Sequence, residues 1–168
     1  SDSIVAVGEY GSDFIVCKLS LDGSLEWAEV IKRAGWSEAK CVTALEDGII
    51  IAGRTNPGVG DWDMLLCKLG LDGSLKWVKV VRGPEDDEAW NEAAIDMGES
   101  IIVVGGTRSF GADSWDMLLC KLSSSSYIAN CSLIQDVTED FEAESLHPEV
   151  LEVSPSVLDA PLTLTVAN

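Results

Sequence analysis

The sequence predicts an all-β fold in which one four-stranded unit is written three times. Three observations predict it. The run Trp62-Asp63-Met64-Leu65-Leu66-Cys67-Lys68-Leu69 returns letter for letter as Trp115-Asp116-Met117-Leu118-Leu119-Cys120-Lys121-Leu122, and Asp13-Phe14-Ile15-Val16-Cys17-Lys18-Leu19 is a looser copy. Leu21-Asp22-Gly23-Ser24-Leu25, followed by Trp27, returns as Leu71-Asp72-Gly73-Ser74-Leu75, followed by Trp77. An Ile/Val run ending in glycine occurs at Ile4–Gly8, Ile49–Gly53 and Ile101–Gly105. A period of about 50 residues is that of a propeller blade or a similar stacked repeat. No stretch carries a long 3.6-residue period with caps, so helices should be scarce.

Each unit reads as four short strands, A to D. Strand A is Ala39–Leu45 or Asn91–Asp96, in segments opened by Trp36 and Trp90. Strand B is the Ile/Val run. Strand C is the Asp-Met-Leu-Leu-Cys-Lys-Leu run, and D is the Leu-x-Trp-x-x-Val run. These runs are rich in Val, Ile and Trp and are bounded by Gly, Asp, Asn and Ser, as strands are. Asp22-Gly23 and Asp72-Gly73 lie between apolar runs and predict hairpins, since glycine takes the positive φ that tight turns need. Along strand C, Leu65, Cys67 and Leu69 alternate with Met64 and Leu66. Apolar residues on both sides call for a sheet covered on both faces, which blades around an axis provide. Trp27 and Trp77 should fill the gaps between blades.

The expected architecture is therefore a β-propeller with three blades per chain. Blade one spans residues 1–35 and lacks its A strand, blade two spans 36–87 and blade three 88–135. In blade three the D strand near Tyr127–Ile134 is degraded, and Ser123-Ser124-Ser125-Ser126 replaces the Asp-Gly turn. A closed propeller usually has about 4–8 blades. Three would leave open faces and edges, so the ring should be completed by a second copy (3+3), or by missing parts of a longer protein. The lack of an initiating Met fits the second option or removal of a leader.

The net charge of −18 argues against nucleic acid and anionic membrane partners. Apolar runs are strand-length, so no membrane insertion is expected. Eight of the 29 acidic residues lie in the tail, 136–168, where no Lys or Arg occurs. The tail contains Pro148, Pro155 and Pro161 and the alternating run Leu162-Thr163-Leu164-Thr165-Val166. It reads as a disordered stalk or as a docked strand supplying the A strand of blade one. Its apolar content favours docking. Cys17, Cys67 and Cys120 share one strand position in different blades and read as small buried apolar residues, too far apart to bridge. Cys41 and Cys131 are unmatched and could pair.

Catalytic signals are sparse. The single histidine, His147, stands in the tail beside Pro148, and no catalytic residue is assigned. The loops between strands B and C are the better place to look: Arg54 to Trp62, and Gly106 to Trp115. Arg54, Trp62, Arg108, Phe110 and Trp115 combine guanidinium and aromatic groups suited to sugars or acidic ligands. The plainer reading of these loops is architectural, with glycines for turns and aspartates bonding local backbone. Asp61 and Asp63, or Asp113 and Asp116, offer oxygen ligands for calcium, although their spacing matches no calcium-loop pattern. No other cofactor is expected.

With these residues laid out, the unit resembles the repeats of secreted archaeal and bacterial β-propeller proteins, quinoprotein-like in type. Ile50–Gly53, Ser109-Phe110-Gly111, Asp63–Leu69 and Asp72–Trp77 carry the pattern over residues 3–135, and Cys131–Ile134 is similar to the ending of such arrays. Two departures limit it. The Thr-Gly-Lys turn of quinoprotein propellers is missing, and the glycine of Ser20–Trp27 falls one position early for the Asp-box of sialidase-type propellers. The resemblance implies a fold and an extracellular or cell-surface setting. The expected function is a non-enzymatic scaffold or binding module for protein or glycan. The alternative is a subunit or fragment of a propeller enzyme such as a glycoside hydrolase or lyase.

Overall fold

A computed structural model of the chain describes residues 3–58, 60–96, 98, 100–110, 114–123 and 134–146. They form β1 (Ser3–Tyr10), β2 (Asp13–Ser20), β3 (Leu25–Lys32), β4 (Trp36–Leu45), β5 (Gly48–Asn56), β6 (Asp63–Leu69), β7 (Leu75–Val81), β8 (Asp87–Asp96), β9 (Ser100–Thr107), β10 (Asp116–Ser123), β11 (Ile134–Asp136) and β12 (Glu142–Leu146), with a 3-10 turn at Thr138–Asp140. The protein is all-β, and no α-helix occurs among the described residues. Three antiparallel sheets have the orders β1-β2-β3-β12, β11-β7-β6-β5-β4 and β10-β9-β8. The three copies of the strand C run are β2, β6 and β10, one in each sheet.

The middle sheet holds a complete A-to-D unit in β4 to β7. The first sheet has B, C and D, and the third has A, B and C. Strand A starts earlier than the sequence suggests, at Trp36 and Asp87 rather than Ala39 and Asn91. Polar pairs extend the ladder there: Ser37 lies opposite Thr55, and Asp87 opposite Thr107. All four are buried, and each pair is hydrogen-bonded side chain to side chain, which removes the cost of burying them. The D strand expected near Tyr127–Ile134 falls outside the described residues except for Ile134, and Ile134 pairs with Val81 of the middle sheet instead.

The sheets stack face to face. Every residue of β6 is buried. Leu65, Cys67 and Leu69 meet Phe14, Val16 and Ile31 of the first sheet. Met64 and Leu66 meet Ala89, Ile101, Val103, Cys120 and Leu122 of the third. The alternation along β6 thus serves two cores at once. Trp77 belongs to the second of these cores, and Trp27 packs against the first and donates Nε1–H to the Leu71 carbonyl at 3.1 Å. One backbone bond recurs between successive sheets. Ser37 N–H donates to the Ser12 carbonyl at 2.8 Å, and Asp87 N–H to the Trp62 carbonyl at 2.6 Å. Donors and acceptors hold the same positions in the repeat, so the third sheet sits on the second at this point as the second sits on the first.

The glycine ending strand B shows what strand A imposes. A Cβ on Gly53 would overlap the Glu38 carbonyl, and one on Gly105 would overlap the Glu88 carbonyl. Gly8 occupies the same position on β1, where no A strand is described, and a Cβ there would meet only Ile15 Cγ2 at 3.7 Å. The tail passes along the opposite edges. β11 pairs with β7 and β12 with β3, both D strands. Lys79–Asp136 (3.1 Å) and Lys32–Glu144 ion pairs and Phe141, 5% exposed beneath the Arg33 guanidinium, fasten it. The docked part of the tail is therefore 134–146, on the edge opposite the one that lacks a strand. Residues 162–166 lie outside the described residues.

Candidate functional site

Arg54 follows the glycine that ends the strand B run of the middle sheet, and each of its guanidinium nitrogens donates to a carboxylate. Nε and Nη2 donate to the Glu38 carboxylate at 3.0 and 3.2 Å, Nη1 donates to Glu88 at 3.0 Å, and the group lies 4.3 Å over the Trp62 ring. Glu38 also receives Lys40 at 2.6 Å. Burial alone would raise the Glu38 pKa, but the Lys40 and Arg54 charges outweigh it and hold the group below its ordinary value. Glu88 belongs to the third sheet, so Arg54 and Trp62 form a clasp between sheets. A cavity of about 540 Å³ beside it is lined by Lys40, Arg54, Glu88, Ala89 and Trp90. The loop beyond Arg54 closes on itself: Asn56 accepts from Gly58 N–H at 2.7 Å and donates to the Gly60 carbonyl at 2.9 Å.

The third sheet has no arginine where Arg54 stands. Gly106 takes the place, and a Cβ there would press on Trp115 and Trp90. Both tryptophans are 44% exposed. The loop after β9 is held from beneath by Asp87, which is wholly buried. Its carboxylate accepts from Thr107, from Ser109 Oγ at 2.9 Å and from Gly83 N–H at 2.9 Å. Above this base Arg108 faces solvent with Asp86 3.5 Å away, and Phe110 is 43% exposed. Of the five residues marked by the sequence, the structure thus pairs Arg54 with Trp62 in the clasp and leaves Arg108, Phe110 and Trp115 open.

The carboxylates proposed for calcium differ in their surroundings. Asp63 is 5% exposed, and its Oδ2 accepts from Arg82 Nε at 2.7 Å, with Nη2 also at 2.7 Å. Burial raises its pKa and the Arg82 guanidinium opposes that. Asp61 and Asp116 are exposed, and Asp113 lies outside the described residues. Among the described residues no three His, Cys, Asp or Glu side chains are grouped as metal ligands would be. Asp61, Asp63, Arg82, Gly83, Pro57 and Gly60 do line a cleft of about 280 Å³. Cys17, Cys41 and Cys67 are free thiols, and burial pushes the Cys67 thiol far up; Cys131 lies outside the described residues.

Three structural residues were not marked by the sequence. Asp87 supports the open loop. Arg82 holds Asp63. Arg33, with a side chain only 7% exposed, donates to Thr55 at 3.2 Å and faces Asp140 at 3.7 Å, so it joins the first sheet, the second sheet and the tail. Only the recurrence of Thr55 and Thr107 after the strand B glycines could have flagged the first of them. No family model matches the chain, and no curated protein sequence matches it.

Proposed function

We propose that this chain is a non-enzymatic binding module of the β-propeller type, acting in a secreted or cell-surface setting. A second copy, or further blades of a longer protein, completes its ring. The exposed pair Arg108 and Phe110, set on a loop whose base is the buried Asp87, carries this reading. A cation and an aromatic side chain, both exposed and two residues apart on a loop anchored by buried hydrogen bonds, suit a sugar ring or an acidic group. The recurring Ser37–Ser12 and Asp87–Trp62 bonds support the propeller part, because stacked blades of one repeat would share such a contact at each junction. Glycan-array binding tests the reading. Wild type should bind a subset of oligosaccharides, and Arg108→Ala and Phe110→Ala should each lose at least tenfold in affinity with unchanged circular dichroism. Binding that survives both substitutions rejects this surface.

A propeller-enzyme subunit is the second reading, supported by the cleft at Asp63 and the raised pKa of that carboxylate. Its oxygen is held by Arg82, which favours a structural clamp. Glycoside turnover abolished in Asp63→Asn at retained fold would favour the enzyme.

A further inference from the structure

We infer that the open face of the third sheet is a docking surface for a second copy of this chain, which seats its first sheet there. β6 and β10 share the run Asp-Met-Leu-Leu-Cys-Lys-Leu. In β6, Met64 and Leu66 are 0% exposed because the third sheet lies over them. In β10, Met117 and Leu119 hold the same positions and are 68% and 57% exposed. Leu118, Cys120 and Leu122 on the other side of β10 face the middle sheet, as Leu65, Cys67 and Leu69 of β6 face the first. One side-chain pattern is thus dry in one sheet and wet in the next: the third sheet covers this face of β6, and no described sheet covers the same face of β10.

The matching surface exists within the chain. Ile15, Cys17 and Leu19 of β2 occupy the positions that cover the preceding sheet elsewhere in the stack. With Ile4 and Ala6 paired beside Leu19 and Cys17, they lie on the face of the first sheet turned away from the middle one. Ile4 is 46% exposed. Two copies related by a two-fold axis would make two equal seams, third sheet to first sheet, and close the set at six sheets. This rests on the propeller reading of the stack, but its test is separate from ligand binding.

Light scattering at micromolar concentration should give about twice 18.0 kDa for the wild type. Met117→Glu with Leu119→Glu should halve that mass. Both side chains are exposed in the single chain, so the β-sheet circular dichroism should not change. Ile4→Glu, on the opposite face of the seam, should have the same effect. Leu71→Glu, exposed in a turn of the middle sheet, should have none. Mixing the Met117/Leu119 variant with the Ile4 variant should restore the doubled mass, because one seam of that pair is wild type on both sides. A monomeric wild type, a larger open assembly, or a dimer that persists in the Met117/Leu119 variant overturns the inference. A monomer that still binds glycan through Arg108 and Phe110 rejects the seam alone; a dimer without ligand binding rejects the binding reading alone.

Discussion

Gly53 and Gly8 are equivalent in sequence and opposite in consequence. Alanine at Gly53 drives a methyl into the Glu38 carbonyl, a backbone atom held in a ladder. Gly53→Ala should cost about 1–3 kcal/mol, the usual range for overpacking. Gly8→Ala meets ordinary contact and should be neutral or stabilising by about 0.5 kcal/mol through lost unfolded-state freedom. Urea midpoints of the two variants decide this, and equal losses would mean that β1 is covered by a strand. Acidity also acts at this scale. The Asp22 pKa is lowered to about 2 by the Ser20 hydroxyl and the Ser24 N–H, and Lys68 lowers that of Asp47. Lowered pKa values mean stability that is full above the unfolded values near 4 and drains as the pH falls through the folded ones. Asp63 runs the other way, since its raised pKa favours the neutral acid in the fold. With several lowered carboxylates against this one, tryptophan fluorescence should report acid unfolding between about pH 4 and pH 2.

Strands β11 and β12 show how far an element can lie from what its sequence suggests. Residues 134–146 are acidic and interrupted, and no alternation marks them as strands. They pair because β3 and β7 offer free edges and the cations Lys32 and Lys79. Phe141 between them enters the core of the first two sheets. Phe141→Ala should destabilise by about 3–5 kcal/mol, read from thermal or urea unfolding. A loss under about 1 kcal/mol would mean that the tail contributes little to folding. Ending the chain before Ile134 should uncover both edges and raise aggregation, measured by turbidity on storage. By contrast, β5, β6 and β9 were legible in advance. Their runs are β-branched or apolar, of strand length, and repeated, so local propensity and burial agree.

The whole molecule carries a net charge of −18. Two such chains repel at long range, and salt screens that repulsion from a reach of about 30 Å at 0.01 M to about 10 Å at 0.1 M. If association runs through Met117 and Leu119, raising salt should tighten the dimer. Sedimentation at the two ionic strengths checks this, and weakening by salt would point to an ion-paired interface instead. The candidate site was half legible at this scale. Arg54 and Arg108 look alike in loop composition, but Arg108 stands two positions later in the unit, and Arg54 lies where the next sheet presents a carboxylate, Glu88. Loop composition does not show which basic side chain meets a carboxylate of the next sheet.

By itself the sequence determined the all-β class, the repeat, the Asp-Gly turns and the two-sided burial of β6, because each depends on neighbours within a few residues or on a period that recurs. Tertiary structure alone decided three things: the tail strands on the D edges, the clasp that occupies Arg54, and the exposure of Met117 and Leu119 where Met64 and Leu66 are dry. Identical residues meet different fates because burial belongs to what lies opposite a side chain, and a local run of sequence does not specify its opposite.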